Sequence, residues 1–231
     1  MRRLRKLTFV LTILLVLAVV LPERPAVVMV LVIDPISEDP ELVPSVVKAL
    51  DNPGYSVTHV VGSDVTVDRM KKLEGVDVLI MRVHSSVNDD AGWVFTGERY
   101  DNNWYPVEQM TDEVHRARTS PEGEYLYAVG SSFFERHLSG IDGVQVLVMG
   151  CDAAQSRELA DVFLGKGANL YVSWDGPVSL EYTDLVFERI LSHFTDGTTM
   201  EETRARTPTS NQCSDALKDE KMGSISPNDA S

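Results

Sequence analysis

From Ala26 to Ile33 every position is aliphatic, and the run ends abruptly at Asp34-Pro35. An unbroken stretch of this kind, rich in valine, suits a strand covered on both faces rather than one. The same pattern returns at Val76–Val83, which closes on His84, and at Val144–Met149, which closes on Gly150-Cys151. Tyr55–Val61 and Ala168–Ser173 read as two further strands. Helical stripes lie between them. Leu42, Val43, Val46, Val47 and Leu50 share one face of a helix predicted from Pro40 to Asp51, which Asn52-Pro53-Gly54 stops. Shorter helices are predicted at Val65–Leu73 and Ser156–Leu164, the second ended by Gly165-Lys166-Gly167, and a longer one at Ser179–Phe194. Strands alternating with helices imply a three-layer αβα sandwich around a mostly parallel sheet, with right-handed crossovers.

The alternation breaks after His84. A polar stretch, Ser85 to Gly92, leads into Trp93–Tyr100, which Gly97 interrupts, and this reads as a hairpin over the top of the sheet. A helix at Tyr105–Ala117, a strand at Glu124–Val129 and a helix at Ser131–Leu138 complete a hairpin and helix insertion. On the predicted helix Glu108, Asp112 and His115 fall at i, i+4 and i+7. One helix face supplies no complete metal cage, so these residues read as a solvated surface and no metal is expected. His59, His137 and His193 have no partner by spacing.

The two ends of the chain have a different character. Met1-Arg2-Arg3-Leu4-Arg5-Lys6 precedes fifteen residues, Leu7 to Leu21, broken only by Thr8 and Thr12. A basic stretch followed by an apolar one is the pattern of a secretory signal or a short membrane anchor, so residues 1–25 are set apart from the fold. At fifteen residues the apolar part falls short of the roughly 20 that span a bilayer comfortably, which favours a signal. The domain is placed at residues 26–206, with a last helical turn at Met200–Arg206. Residues 207–231 are polar and are expected to be disordered. The exported part is an extracytoplasmic protein, touching a membrane only through an uncleaved N-terminus.

Charge narrows the partners. Removing residues 1–25 takes away five basic residues and one acidic, which leaves 16 basic against 34 acidic, a net charge of −18. Such a surface repels phosphate backbones and anionic lipid heads, which argues against nucleic-acid binding. Two cysteines, Cys151 and Cys213, exclude a disulfide framework. A single bridge joining the tail to the sheet stays open.

Two of the predicted strands therefore end in reactive side chains, His84 and Cys151. In an open parallel sheet the C-terminal edge gathers the βα loops, and catalytic groups collect there. A thiol and an imidazole at one edge suggest nucleophilic catalysis. Cys151 also stands a few residues before a predicted helix N-terminus, a setting that favours negative charge, while the adjacent Asp152 opposes it or caps the helix.

The block Gly150-Cys151-Asp152, followed by Leu159-Ala160-Asp161-Val162-Phe163-Leu164-Gly165-Lys166-Gly167-Ala168 and by Val172-Ser173-Trp174-Asp175-Gly176-Pro177-Val178, resembles the caspase-like cysteine peptidases. These include gingipains, clostripain and CHAT-type domains. The order of His84 before Cys151 matches, and the resemblance covers residues 26–206. It implies Cys151 as nucleophile and His84 as its proton acceptor and donor. It implies an oxyanion hole from the backbone N–H groups of Ser85 and Cys151. Trp174 and Asp175 would wall the substrate pocket, and Asp152 nearby would make it acidic and suited to Arg or Lys at P1. No cofactor is implied. Two positions depart from the pattern: Ser85 stands where the family has glycine after its histidine, and Gly150 where it has alanine or another small residue.

The leading expectation is thus an exported cysteine endopeptidase acting on polypeptides. A catalytically inert caspase-like domain that binds a partner protein is the alternative. A flavodoxin-like ligand binder fits less well, because Asp34-Pro35-Ile36-Ser37 lacks a glycine-rich phosphate cradle. Neither a serine nucleophile elbow nor any internal repeat is present.

Overall fold

The structure is a computed structural model, and it describes residues 27–36, 54–88, 91–155, 157–195 and 222–225. The aliphatic runs form the strands of one sheet: β1 (Val28–Asp34), β2 (Tyr55–Val61), β3 (Val78–Met81), β8 (Gln145–Val148) and β9 (Leu170–Trp174). All five are parallel, in the order β9-β8-β3-β1-β2. Antiparallel to β9, at the edge, runs β10 (Met222–Ile225). That strand corrects the expectation of a wholly disordered tail: a four-residue segment with Met222 and Ile225 at its ends finds backbone partners along the open edge of β9.

Alternate residues of the parallel strands point to opposite faces, and each face has its own core. Leu31, Ile33, Leu79, Met81, Val146 and Val148 pack with α3 (Ser131–His137) and α4 (Arg157–Gly165) through Phe133, Phe134, Leu159 and Phe163. Val30, Val32, Val78, Ile80, Leu147 and Val172 pack with α5 (Leu180–Thr195) through Val186, Phe187, Ile190 and Leu191. This is a three-layer α/β arrangement. The predicted helices at Pro40–Asp51 and Met200–Arg206 lie outside the described residues, as do the N-terminal 25 residues and Cys213. Among the described residues no helix is long and apolar enough to cross a membrane.

The insertion differs most from expectation. It is a second, four-stranded antiparallel sheet in the order β4-β5-β7-β6, built from β4 (Ser85–Asn88), β5 (Ala91–Arg99), β7 (Leu126–Gly130) and β6 (Val114–Ala117). The helix predicted from Tyr105 to Ala117 is a single turn, α2 (Pro106–Met110). Pro106 opens it after a left-handed Tyr105, and Asp112, also left-handed at φ 55, lies just beyond its end. Val114–Ala117 then pairs with β7, so tertiary pairing overrides local periodicity. Glu108, Asp112 and His115 consequently share no helix face, and His115 instead stacks on Trp93 at 4.3 Å.

The insertion is fastened to the main domain. α1 (Val67–Met70) follows a 3-10 turn at Gly62–Asp64, and the buried carboxylate of Glu98 on β5 accepts from the Val67 N–H at 2.8 Å and from the Tyr105 hydroxyl. Gly97 must be glycine: a Cβ there would lie 1.8 Å from the Gly62 carbonyl oxygen, because the two backbones touch. Val94, Val114, Tyr127 and Val129 of the second sheet join the core under α3 and α4.

Candidate functional site

β3 and β8 are neighbours in the sheet, with Met81 opposite Val148. The ladder runs on past the strands, since the Met149 N–H donates to the Met81 carbonyl at 2.7 Å. His84 and Cys151 each stand three residues beyond that last pair, and the two segments stay close, since a Cβ on Gly150 would lie 3.0 Å from the Val83 carbonyl oxygen. A side-chain bond joins the two strand ends: the Ser85 hydroxyl donates to the Cys151 carbonyl at 2.6 Å. Both reactive side chains are half-buried, and Cys151 is a free cysteine.

His84 sits where the two sheets meet. Its carbonyl accepts from the Phe95 N–H at 2.9 Å, and its ring lies 6.4 Å from the Phe95 ring, centroid to centroid. Since His84 and Phe95 are joined in the antiparallel ladder, the next pair, Ser85 and Val94, is a non-hydrogen-bonded one. The Ser85 N–H therefore points away from β5.

Cys151 opens a turn, residues 151–155, that is stitched to the loop after β9. The Asp152 N–H donates to the Gly176 carbonyl and the Ala154 N–H to the Trp174 carbonyl, each at 2.9 Å. The sulfur faces the same loop: the Val178 N–H donates to Sγ at 3.4 Å, and Sγ lies 3.5 Å from the Val178 carbonyl oxygen. A protonated thiol can use both contacts, whereas a thiolate keeps only the amide. Asp152 adopts a left-handed φ of 58°, which turns the chain sharply after the cysteine.

The remaining predicted site residues separate by environment. Burial raises the Asp152 carboxyl above its ordinary range, and the nearby charge of Asp175 adds to the rise. Asp175 itself is exposed. These two carboxylates form an acidic pair beside the cysteine turn. Trp174 is placed differently from the expectation of a pocket wall. Its ring is 2% exposed, packs in the core on the α5 face, and its Nε1–H donates to the Thr183 hydroxyl at 2.8 Å.

Sequence reasoning missed three features of this edge. Val178 supplies the backbone contacts to sulfur, and backbone contacts leave no trace in residue type. The Ser85 hydroxyl reaches across the sheet junction. The third is a buried ion cluster: Arg82, 1% exposed, binds Asp184 of α5 through Nε and a terminal nitrogen, both at 2.7 Å, and Asp34 at 3.0 Å. Its signal was an arginine inside an aliphatic strand, which needs acids to be buried at all. Among the described residues no cluster of His, Cys, Asp or Glu is arranged to hold a metal ion. An open cleft of about 920 Å³ runs along α4, with Glu135 of α3 on its rim, and neither His84 nor Cys151 lines it.

Comparison of the chain with protein-family models and with curated proteins returns no match. The geometry of the sheet edge therefore carries the functional reading.

Proposed function

We propose that the chain is an exported caspase-like cysteine endopeptidase whose reaction is carried by Cys151 and His84. The observation that supports this most directly is the register of β3 and β8, neighbouring parallel strands in which Met81 lies opposite Val148, three residues before His84 and Cys151 respectively. His84 takes the proton from Sγ as the sulfur leaves the Val178 carbonyl, and the thiolate attacks the scissile carbonyl carbon. The N–H groups of Ser85 and Cys151 face the developing oxyanion, where fixed dipoles are most effective. His84 then returns the proton to the leaving amine, and water hydrolyses the thioester to restore the thiol.

Substrate choice follows from the acidic pair. A cationic P1 side chain would pair with Asp152 and Asp175 and relieve their repulsion, which adds to the burial that holds the Asp152 carboxyl high. The test is hydrolysis of fluorogenic peptides with Arg, Lys or Asp at P1. Cleavage after Arg or Lys that vanishes in Cys151→Ala supports the reading; cleavage only after Asp defeats the basic preference, and no cleavage of any peptide counts for the inert binding domain.

A further inference from the structure

The two positions at which the chain departs from the pattern it resembles, Ser85 and Gly150, touch each other. A Cβ built on Gly150 would lie 2.1 Å from the Ser85 Oγ and 3.0 Å from both the Ser85 Cβ and the Val83 carbonyl oxygen. The serine hydroxymethyl group fills the space above residue 150. From there its hydroxyl reaches the Cys151 carbonyl at 2.6 Å. Ser85 is the first residue of β4 and is paired with Val94 in the second sheet, whereas Cys151 follows β8 of the first. One hydroxyl thus joins the insertion to the main-chain carbonyl of the cysteine.

We propose that Ser85 and Gly150 are an interlocked pair and that the Ser85 side chain is a positioning residue for the Cys151 thiol. This rests on the reading of Cys151 as the nucleophile. The hydroxyl holds the peptide plane between Cys151 and Asp152, which sets the direction in which the chain enters the left-handed Asp152 turn. Without that bond ψ of Cys151 is freer, and the strand end that carries the thiol can shift relative to the insertion. A shift of about 1 Å at a reacting group is enough to cost a rate factor near 100. A side chain at residue 150 and a hydroxyl at residue 85 exclude each other, so neither residue can be changed alone without consequence. Changing both removes the 2.1 Å overlap. The remaining 3.0 Å approach to the Val83 carbonyl is one that a small backbone adjustment relieves.

The experiment compares the full-length wild type with Gly150→Ala, Ser85→Gly, the double variant, Ser85→Ala and Ser85→Thr. Two quantities are read: the thermal midpoint, and the rate of iodoacetamide labelling at Cys151, mapped by peptide mass so that Cys213 is counted separately. Gly150→Ala is expected to lower the midpoint by about 5 °C or more, as overpacking does in a chain of this size. Adding Ser85→Gly is expected to recover most of that loss. Ser85→Ala keeps the fold but slows labelling roughly tenfold and alters its pH profile, and Ser85→Thr, which retains the hydroxyl, restores both. Additive midpoints for the two single variants would overturn the interlock, and unchanged labelling in Ser85→Ala would overturn the positioning role. If wild-type Cys151 labels no faster than a free thiol, the nucleophile reading and the positioning role fall together, and the midpoints still decide the interlock.

Discussion

Arg82 grips Asp184 with two parallel hydrogen bonds of 2.7 Å each, and so ties α5 to the strand that leads to His84. Asp34 at the end of β1 holds the remaining arm of the guanidinium at 3.0 Å. Asp184 lies six residues beyond Val178, so the cluster also braces the helix that begins just after the sulfur contact. Removing one partner of a buried ion pair leaves the other charge uncompensated, at a cost of roughly 3–5 kcal/mol. Asp184→Ala leaves Arg82 with Asp34 alone, so the unfolding free energy in urea should fall by less than that, about 2–3 kcal/mol. A loss below about 1 kcal/mol would show that the pair behaves as an exposed one.

A histidine beside this cluster gives the protein a pH dependence. Burial disfavours the imidazolium of His59 more than the Asp34 carboxylate, 3.9 Å away, favours it, so His59 is held below its ordinary 6.5. The folded protein then binds this proton less readily than the unfolded chain does. Its contribution to stability is complete above 6.5 and is lost as the pH falls below that value, by no more than about 1.4 kcal/mol per pH unit. Urea titrations at pH 7.5 and 5.5 should show the decline, and it should be shallower in His59→Gln. Equal slopes would place the acid sensitivity elsewhere.

Trp174 should matter for stability and not for substrate choice. Its ring is covered by the α5 face of the core and bonded to Thr183. Trp174→Phe loses that bond and some packing, and the unfolding free energy should fall by about 2 kcal/mol. The ratio of hydrolysis rates for Arg against Leu at P1 should stay the same; a changed ratio would put the ring in the pocket.

The acidic pair makes the opposite prediction. Asp152→Asn should reduce kcat/KM for Arg peptides at least roughly tenfold relative to Leu peptides, the size of one charge-assisted contact. Because burial, with Asp175 adding to it, raises the Asp152 carboxyl, the preference for basic P1 should fade on acidification sooner than an ordinary carboxylate would dictate. Asp175→Asn removes one cause of the rise, so the fading should move to lower pH. A pH profile of the Arg-to-Leu ratio in the two proteins checks the direction.

The parallel sheet was legible because strands covered on both faces must be aliphatic on both, and Val30–Ile33 or Val146–Val148 carry no polar position. The second sheet was not, since α2 and β6 share one polar stretch whose division at Asp112 depends on pairing with β7. β10 was hidden for a similar reason: its pairing is made by backbone groups along β9, and its residues stand in a polar tail. At the site, the apolar runs before His84 and Cys151 marked β3 and β8, although the strands themselves stop at Met81 and Val148, three residues short of each. The contact between Ser85 and Gly150 could not be read from the sequence, because no periodicity relates residues 65 apart that meet only when β3 and β8 are side by side.

The central claim is that Cys151 and His84 act as one chemical unit. Its most direct test is the second-order rate of iodoacetamide labelling at Cys151, near neutral pH, in the wild type and in His84→Ala. The account predicts labelling at least about tenfold faster than a free thiol in the wild type, falling to the free-thiol rate when the imidazole is removed. A wild-type rate no faster than a free thiol, unchanged by His84→Ala, would contradict it and leave a binding domain in its place.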